Sequence, residues 1–179
     1  MLDMGIYVFL LLAILLVFGS AAYAGLRAAP WLPVFKRDIA RIVALAGVRE
    51  GEVAYDLGSG DGRVLIALAN NTKARLLVGY EISFLLYVWS VIRVRFLGFR
   101  KRIEVRYGDF LTRDLSQADV IFCFLTPMAM KKLDPKFRGE LRPGTRIISY
   151  SFSLPGWEPE AVDRVGEKSI PIFKYRIDG

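Results

Sequence analysis

Apolar positions fall into one long unbroken run and then into two alternating rhythms. From residue 4 to residue 26 no charge interrupts the chain, and a helix of that length at ~1.5 Å per residue spans roughly 34 Å, against a hydrocarbon core of ~30 Å. One membrane-spanning helix is expected there. Residues 27–33 form a proline-containing joint, after which Ile39, Ile42, Val43 and Ala46 recur at helical spacing until Gly47. Val53-Ala54-Tyr55 reads as a short buried strand running through Asp56-Leu57 into a glycine-rich turn and a helix over 62–69. The alternation then repeats. Strands are expected over 76–82, 103–107, 120–125 and 145–152, and helices over 84–97 and 128–141.

Strands separated by helices imply a largely parallel sheet with helices packed on it. The tail differs, because 161–165 and 170–177 read as two strands with no helix between them, and so short a connection requires an antiparallel pair. The pattern divides the chain into an anchor over 1–28 and one α/β domain over 29–179, and 179 residues suit one domain with an appendage.

The opening run has a competing reading as a cleaved signal peptide, for which Ala22-Tyr23-Ala24 supplies small residues at a cleavage position. It lacks the basic leader such peptides carry. Asp3 precedes it, whereas Arg27, Lys36, Arg37 and Arg41 follow. The positive-inside rule then places a single-pass anchor with the domain on the cytoplasmic side.

The formal net charge is +7, and all but Asp3 of the charged residues lie after Leu26. An anionic neighbour is implied. Anionic lipid headgroups beside a tethered domain account for it at ~1 kcal/mol per Lys or Arg near the surface, and no recognisable nucleic-acid motif accompanies the charge, so no nucleic-acid partner is expected. Histidine is absent and Cys123 is the single cysteine, which removes Ser-His-Asp and Cys-His chemistry and zinc sites built on His and Cys. No metal is expected. Cys123 itself sits on an apolar strand with nothing nearby in sequence to activate it, and reads as a small core residue.

The densest chemical signal is Tyr55-Asp56-Leu57-Gly58-Ser59-Gly60-Asp61-Gly62-Arg63, a carboxylate at the end of a strand followed by alternating glycines. Glycines there let the backbone turn sharply and approach a ligand closely. The phosphate-loop pattern fails for want of Gly-Lys-Ser/Thr, and the dinucleotide fingerprint fails in its last spacing. A ligand with a charged amino-acid end and a nucleoside end fits better. Glu81, ending the second strand, is placed to accept hydrogen bonds from two ribose hydroxyls.

This loop resembles motif I of the class I, seven-strand methyltransferases, a family with a Rossmann-like doubly wound sheet that ends in an antiparallel pair. The resemblance implies S-adenosylmethionine as cofactor, with Asp56, Gly58, Ser59, Gly60 and Glu81 around it. It further implies that Asp109 receives the adenine amino group and that Phe110 lies beside the ring. The methyl acceptor in this fold meets the cofactor at the fourth strand's end, here Leu125, Thr126 and Pro127. That segment departs from the Asn/Asp-Pro-Pro-Tyr/Phe motif of base and glutamine-amide methyltransferases. Pro30-Trp31-Leu32-Pro33, the glycine loop, Gly79-Tyr80-Glu81, Thr126-Pro127-Met128 and the 152–157 segment together resemble the membrane-associated lysine methyltransferases of the adenine nucleotide translocase and the ATP synthase c subunit.

A lysine of a membrane protein is the acceptor this implies, with Tyr150 or Trp31 beside the amine. A lipid or hydrophobic small-molecule acceptor, or a catalytically silent cofactor-binding scaffold, remain the alternatives. The helix over 84–97 is apolar nearly all round. Its stripe Leu85, Trp89, Ile92, Phe96 is expected to pack on the core, with Leu86, Tyr87, Val88, Val91 and Val94 facing lipid or a partner.

Overall fold

A computed structural model describes residues 3–27 and 32–178 of the chain. The first helix, α1 (Met4–Arg27), has 24 residues. Counted over the described residues, no helix is long and apolar enough to cross a membrane; the side chains at 13, 16–18 and 20–27 fall outside those described. The structure therefore supplies the helix and not its role as an anchor. Pro30 and Trp31 also lie outside the described residues.

The domain alternates α2 (Lys36–Ala46), β1 (Val53–Leu57), α3 (Arg63–Asn71), β2 (Leu76–Glu81), α4 (Phe84–Phe96), β3 (Ile103–Tyr107), β4 (Val120–Cys123), α5 (Pro127–Glu140), β5 (Arg146–Tyr150), β6 (Ala161–Asp163) and β7 (Ile172–Arg176). The seven strands form one sheet in the order β3-β2-β1-β4-β5-β7-β6. Pairings from β3 through β5 are parallel, while β7 pairs antiparallel with both β5 and β6. The expected seven-strand sheet with its antiparallel end is present.

The central strands β1, β4 and β5 are buried on both faces. Tyr55, Leu57, Ile121 and Ile147 point to the side covered by Met130, Leu133 and Phe137 of α5, and Ala54, Leu77, Val120 and Ile148 to the side covered by Ile42, Leu65 and Val94 of α2, α3 and α4. Burial on both faces explains why β4, and β1 up to Asp56, read as continuous apolar runs. Strand order reverses between β1 and β4, which opens a crevice at their carboxyl ends.

One helix is turned the other way from expectation. In α4 the stripe Leu85, Trp89, Ile92, Phe96 is exposed, Phe96 by 92%, while Ser90 and Val94 are buried. The cause is close approach: a Cβ on Gly62 would stand 2.3 Å from Ser90 Oγ. Only a small inward residue lets α4 lie against the glycine loop, so the larger side chains face out.

Candidate active site

The glycine loop is built by hydrogen bonds to the neighbouring strand. Gly58 N–H and Ser59 N–H both donate to the Tyr80 carbonyl at 2.9 Å, and Gly62 N–H donates to the Ser59 carbonyl at 2.9 Å. Gly58, Gly60 and Gly62 have φ of 80°, 54° and 75°, the left-handed region that a side chain disfavours. Gly79 on β2 serves the same end by its lack of bulk, since a Cβ there would meet Leu65 Cδ1 at 2.5 Å and Ser59 Oγ at 2.6 Å.

Asp56 sits on β1 opposite Gly79 of β2 and Phe122 of β4, and only 2% of it is exposed. Burial, then the charges of Glu81 and Asp61, push its carboxyl well above the ordinary value. Glu81 is also buried and shifted upward by desolvation, an effect opposed by backbone N–H donors. Gly60 N–H reaches its Oε2 at 2.8 Å and Ser83 N–H its Oε1 at 2.7 Å. Both oxygens are thus held by backbone donors, and since a carboxylate offers ~4 lone-pair sites it keeps capacity for a ligand.

Asp61, on the glycine loop between β1 and α3, has the opposite environment. Burial works to raise its carboxyl, yet hydrogen bonds from Arg63 and the charges of Arg63 and Arg93 hold it below the usual range. Arg93 of α4 reaches Asp61 Oδ2 at 2.7 Å and its carbonyl at 2.6 Å. Arg63 donates to both Asp61 carboxylate oxygens, at 2.9 and 2.8 Å, and to the Val34 carbonyl at 2.8 Å. Asp61 thus ties the loop to α4 and to the segment that follows α1.

Asp56, Gly58, Ser59, Gly60, Glu81, Phe110 and Leu125 line one pocket. Leu32, Pro33, Val34, Ile82, Leu86, Phe122 and Phe124 give that pocket an apolar end; of these the sequence pattern singled out neither Val34, Ile82 nor Phe122, and Leu86 was expected to face lipid or a partner. Asp109, Thr126 and Pro127 are not among its walls. Asp109 accepts from Leu111 N–H at 2.9 Å and opens a 3-10 turn over Phe110–Thr112. Thr126 caps α5 by accepting from Ala129 N–H at 3.3 Å, with Pro127 in the first turn. Tyr150 is engaged elsewhere, donating to Asp38 Oδ2 at 2.7 Å while its ring meets Phe124 edge-on at 4.8 Å. Cys123 is fully buried, and burial pushes its thiol up to about 12.

The pocket fits S-adenosylmethionine. Its acidic end is a buried carboxylate pair with no salt bridge among the described residues, suited to a ligand that brings its own cation; its floor is a glycine cradle.

Comparison with known proteins decides the family. The ANTKMT methyltransferase domain profile matches residues 56–161. The chain belongs to this family. A protein-lysine N-methyltransferase of Saccharolobus islandicus is 32% identical over 83% of the chain and 93% of that relative. The adenine nucleotide translocase lysine N-methyltransferase of Mus musculus is 30% identical over 84% of the chain, which spans 64% of that longer relative. Among solved structures, an RNA methyltransferase from Salinibacter ruber in complex with S-adenosylhomocysteine is 34% identical, with a TM-score of 0.77 over 82% of this chain and 94% of that one. The family member described here is an S-adenosylmethionine-dependent methyltransferase of the protein-lysine methyltransferase group.

Proposed function

We propose that this enzyme is held at a membrane by α1, with its domain on the cytoplasmic side, and that it methylates a lysine of a membrane protein. The observation that carries this is the make-up of the pocket's apolar end, where Leu32, Pro33 and Val34, the segment shortly after α1, form a wall beside Phe122, Phe124 and Leu125. A substrate reaching that end comes against the segment that links α1 to the domain. The uncharged run of residues 4–26 and the basic residues behind it support the anchor.

In this reading Asp56 takes the positive amino-acid end of the cofactor, Glu81 the ribose hydroxyls, and Phe110 lies beside the adenine. Asp109 bears on the adenine through the turn that it caps and that presents Phe110. S-adenosylmethionine supplies an electrophilic methyl group on a positively charged sulfur. The protein's part is placement and protonation state. An acceptor lysine must arrive neutral, and its ordinary pKa of ~10.4 falls on burial among apolar side chains because desolvation disfavours the ammonium. Phe122, Phe124, Leu125 and Val34 provide that setting. Thr126 and Pro127 start α5 and so fix where the Leu125 and Thr126 carbonyls stand.

The Salinibacter structure, named for RNA, and the net charge of +7 favour a second reading in which RNA is the acceptor. Incubating native membranes and total RNA separately with the enzyme and methyl-labelled cofactor separates the two. Label is expected in a membrane polypeptide and, after hydrolysis, in methyl-lysine. Label confined to RNA or to extracted lipid would reject the lysine reading, and no turnover on any fraction would favour the silent scaffold.

A further inference from the structure

Among the described residues, the outward stripe of α4 is left largely uncovered by the fold. Trp89, Ile92 and Phe96 are exposed by 54%, 51% and 92%, while the core takes Ser90 and Val94 from the opposite side. Water-facing apolar surface of this size on a helix calls for a partner. Its surroundings say which. Arg93 is drawn inward to Asp61, whereas Arg95, Arg100 and Lys101 are exposed at the helix's carboxyl end with no ion pair among the described residues. An apolar stripe with a basic fringe is the pattern of a helix lying in the plane of an anionic bilayer surface.

Position adds a second argument. α1 approaches α4, so the helix that carries the stripe lies beside the helix read as the anchor. Leu86 of α4 and Leu32 of the joint line the same pocket, Leu32 and Phe35 are 64% and 53% exposed, and Arg37 lies over the Phe35 ring at 5.1 Å.

We propose that the outer stripe of α4 is a second membrane contact, seated in the headgroup layer of an anionic bilayer with Arg95, Arg100 and Lys101 against the lipid phosphates. It holds the pocket mouth at the membrane plane, where a helix anchor alone leaves the domain free to swivel. The proposal rests on the anchored reading of α1.

The test uses the full chain with single nitroxide labels at Ile92→Cys, Phe96→Cys, Leu12→Cys on α1 and Lys168→Cys as a water-exposed reference. Cys123 is fully buried and escapes labelling. Each labelled chain is checked for cofactor binding, then placed in phosphatidylcholine vesicles with and without phosphatidylglycerol. Accessibility to oxygen is compared with accessibility to a water-soluble nickel chelate. Labels at 92 and 96 are expected to show a several-fold higher oxygen-to-nickel ratio than the label at 168 when phosphatidylglycerol is present. Combining either label with Arg95→Glu and Arg100→Glu should reverse that shift without moving the label at 12. If 92 and 96 match 168 while 12 lies in lipid, the second contact is refuted and the anchor stands. If 12 also matches 168, the anchored reading falls with it. Protection of 92 and 96 from both reagents would mean a protein covers the stripe, which overturns the bilayer as occupant.

Discussion

Asp56 near the end of β1 and Asp61 in the glycine loop that follows it are both buried, yet their surroundings push them in opposite directions. Asp61 has Arg63 and Arg93 against it, so its charge is matched within the chain and its work is to join the loop to α4 and to Val34. Asp56 has burial and another carboxylate, so its charge is unmatched until something cationic comes. A carboxylate neutralised by its own chain holds structure together; one left uncompensated in a pocket is held for a ligand.

The largest effect that would test this contrast lies beside Asp56. Glu81→Ala removes two ribose hydrogen bonds at ~1.5–3 kcal/mol each and leaves the Gly60 and Ser83 N–H groups without their acceptor. Calorimetry should record a loss of cofactor affinity of two orders of magnitude or more. Unchanged affinity would detach Glu81 from the ribose.

Asp56→Asn comes next and gives the contrast its sharpest form. One charge-assisted contact worth ~1.5–3 kcal/mol should disappear from cofactor binding, while the cofactor-free protein should melt at a higher temperature. The sign follows from linkage: because the folded-state value is raised, the ionised carboxylate weakens the fold progressively as pH rises above its ordinary value, and asparagine avoids that cost. A lower melting temperature would show that Asp56 is structural after all.

Asp61→Asn should do the reverse. Its depressed value contributes stability that is present above the ordinary carboxylate pKa and lost as pH falls through the folded one. Thermal or denaturant unfolding at neutral pH should show a loss of about 1–3 kcal/mol, the cost of leaving partly buried cations without their acceptor. A gain in stability would erase the distinction between the two aspartates.

Thr126→Ala marks the small end of the scale. Losing an N-cap costs about 1 kcal/mol of stability, seen as a lower melting temperature, with cofactor affinity unchanged because the backbone carbonyl at that position remains. A large affinity loss would put the Thr126 hydroxyl in the cofactor site.

These residues also show what a one-dimensional reading can reach. Asp56, the alternating glycines and Glu81 were legible because the demands on them are local: a strand end, a backbone needing positive φ, and the next strand end. The seven strands were legible for the same reason, each being a short apolar run bounded by turn residues. The Asp61 tie was not, since Arg93 and Val34 come to the loop from distant parts of the chain. α4 was read inside out because volume, not hydrophobicity, decided its inner face: Ser90 fits against Gly62 and Trp89 does not. Thr126-Pro127 carried a signal of its own, a capping residue before a first-turn proline. Leu32 and Phe124 each fell within a segment the pattern picked out, but that they meet Val34 in one apolar wall left no signal, because distant segments build it.

The claim that Asp56 is reserved for the cofactor's positive end is tested most directly by counting protons. Titration calorimetry of the full chain with S-adenosylhomocysteine, which keeps the amino-acid end, is run in buffers of different ionisation heat at several pH values above the ordinary carboxylate range. Binding a cation beside a carboxylate of raised pKa favours its ionised form, so protons should be released on binding, more at the acidic end of that range, and Asp56→Asn should abolish much of that release. Identical proton counts for the native chain and Asp56→Asn at every pH would contradict the account.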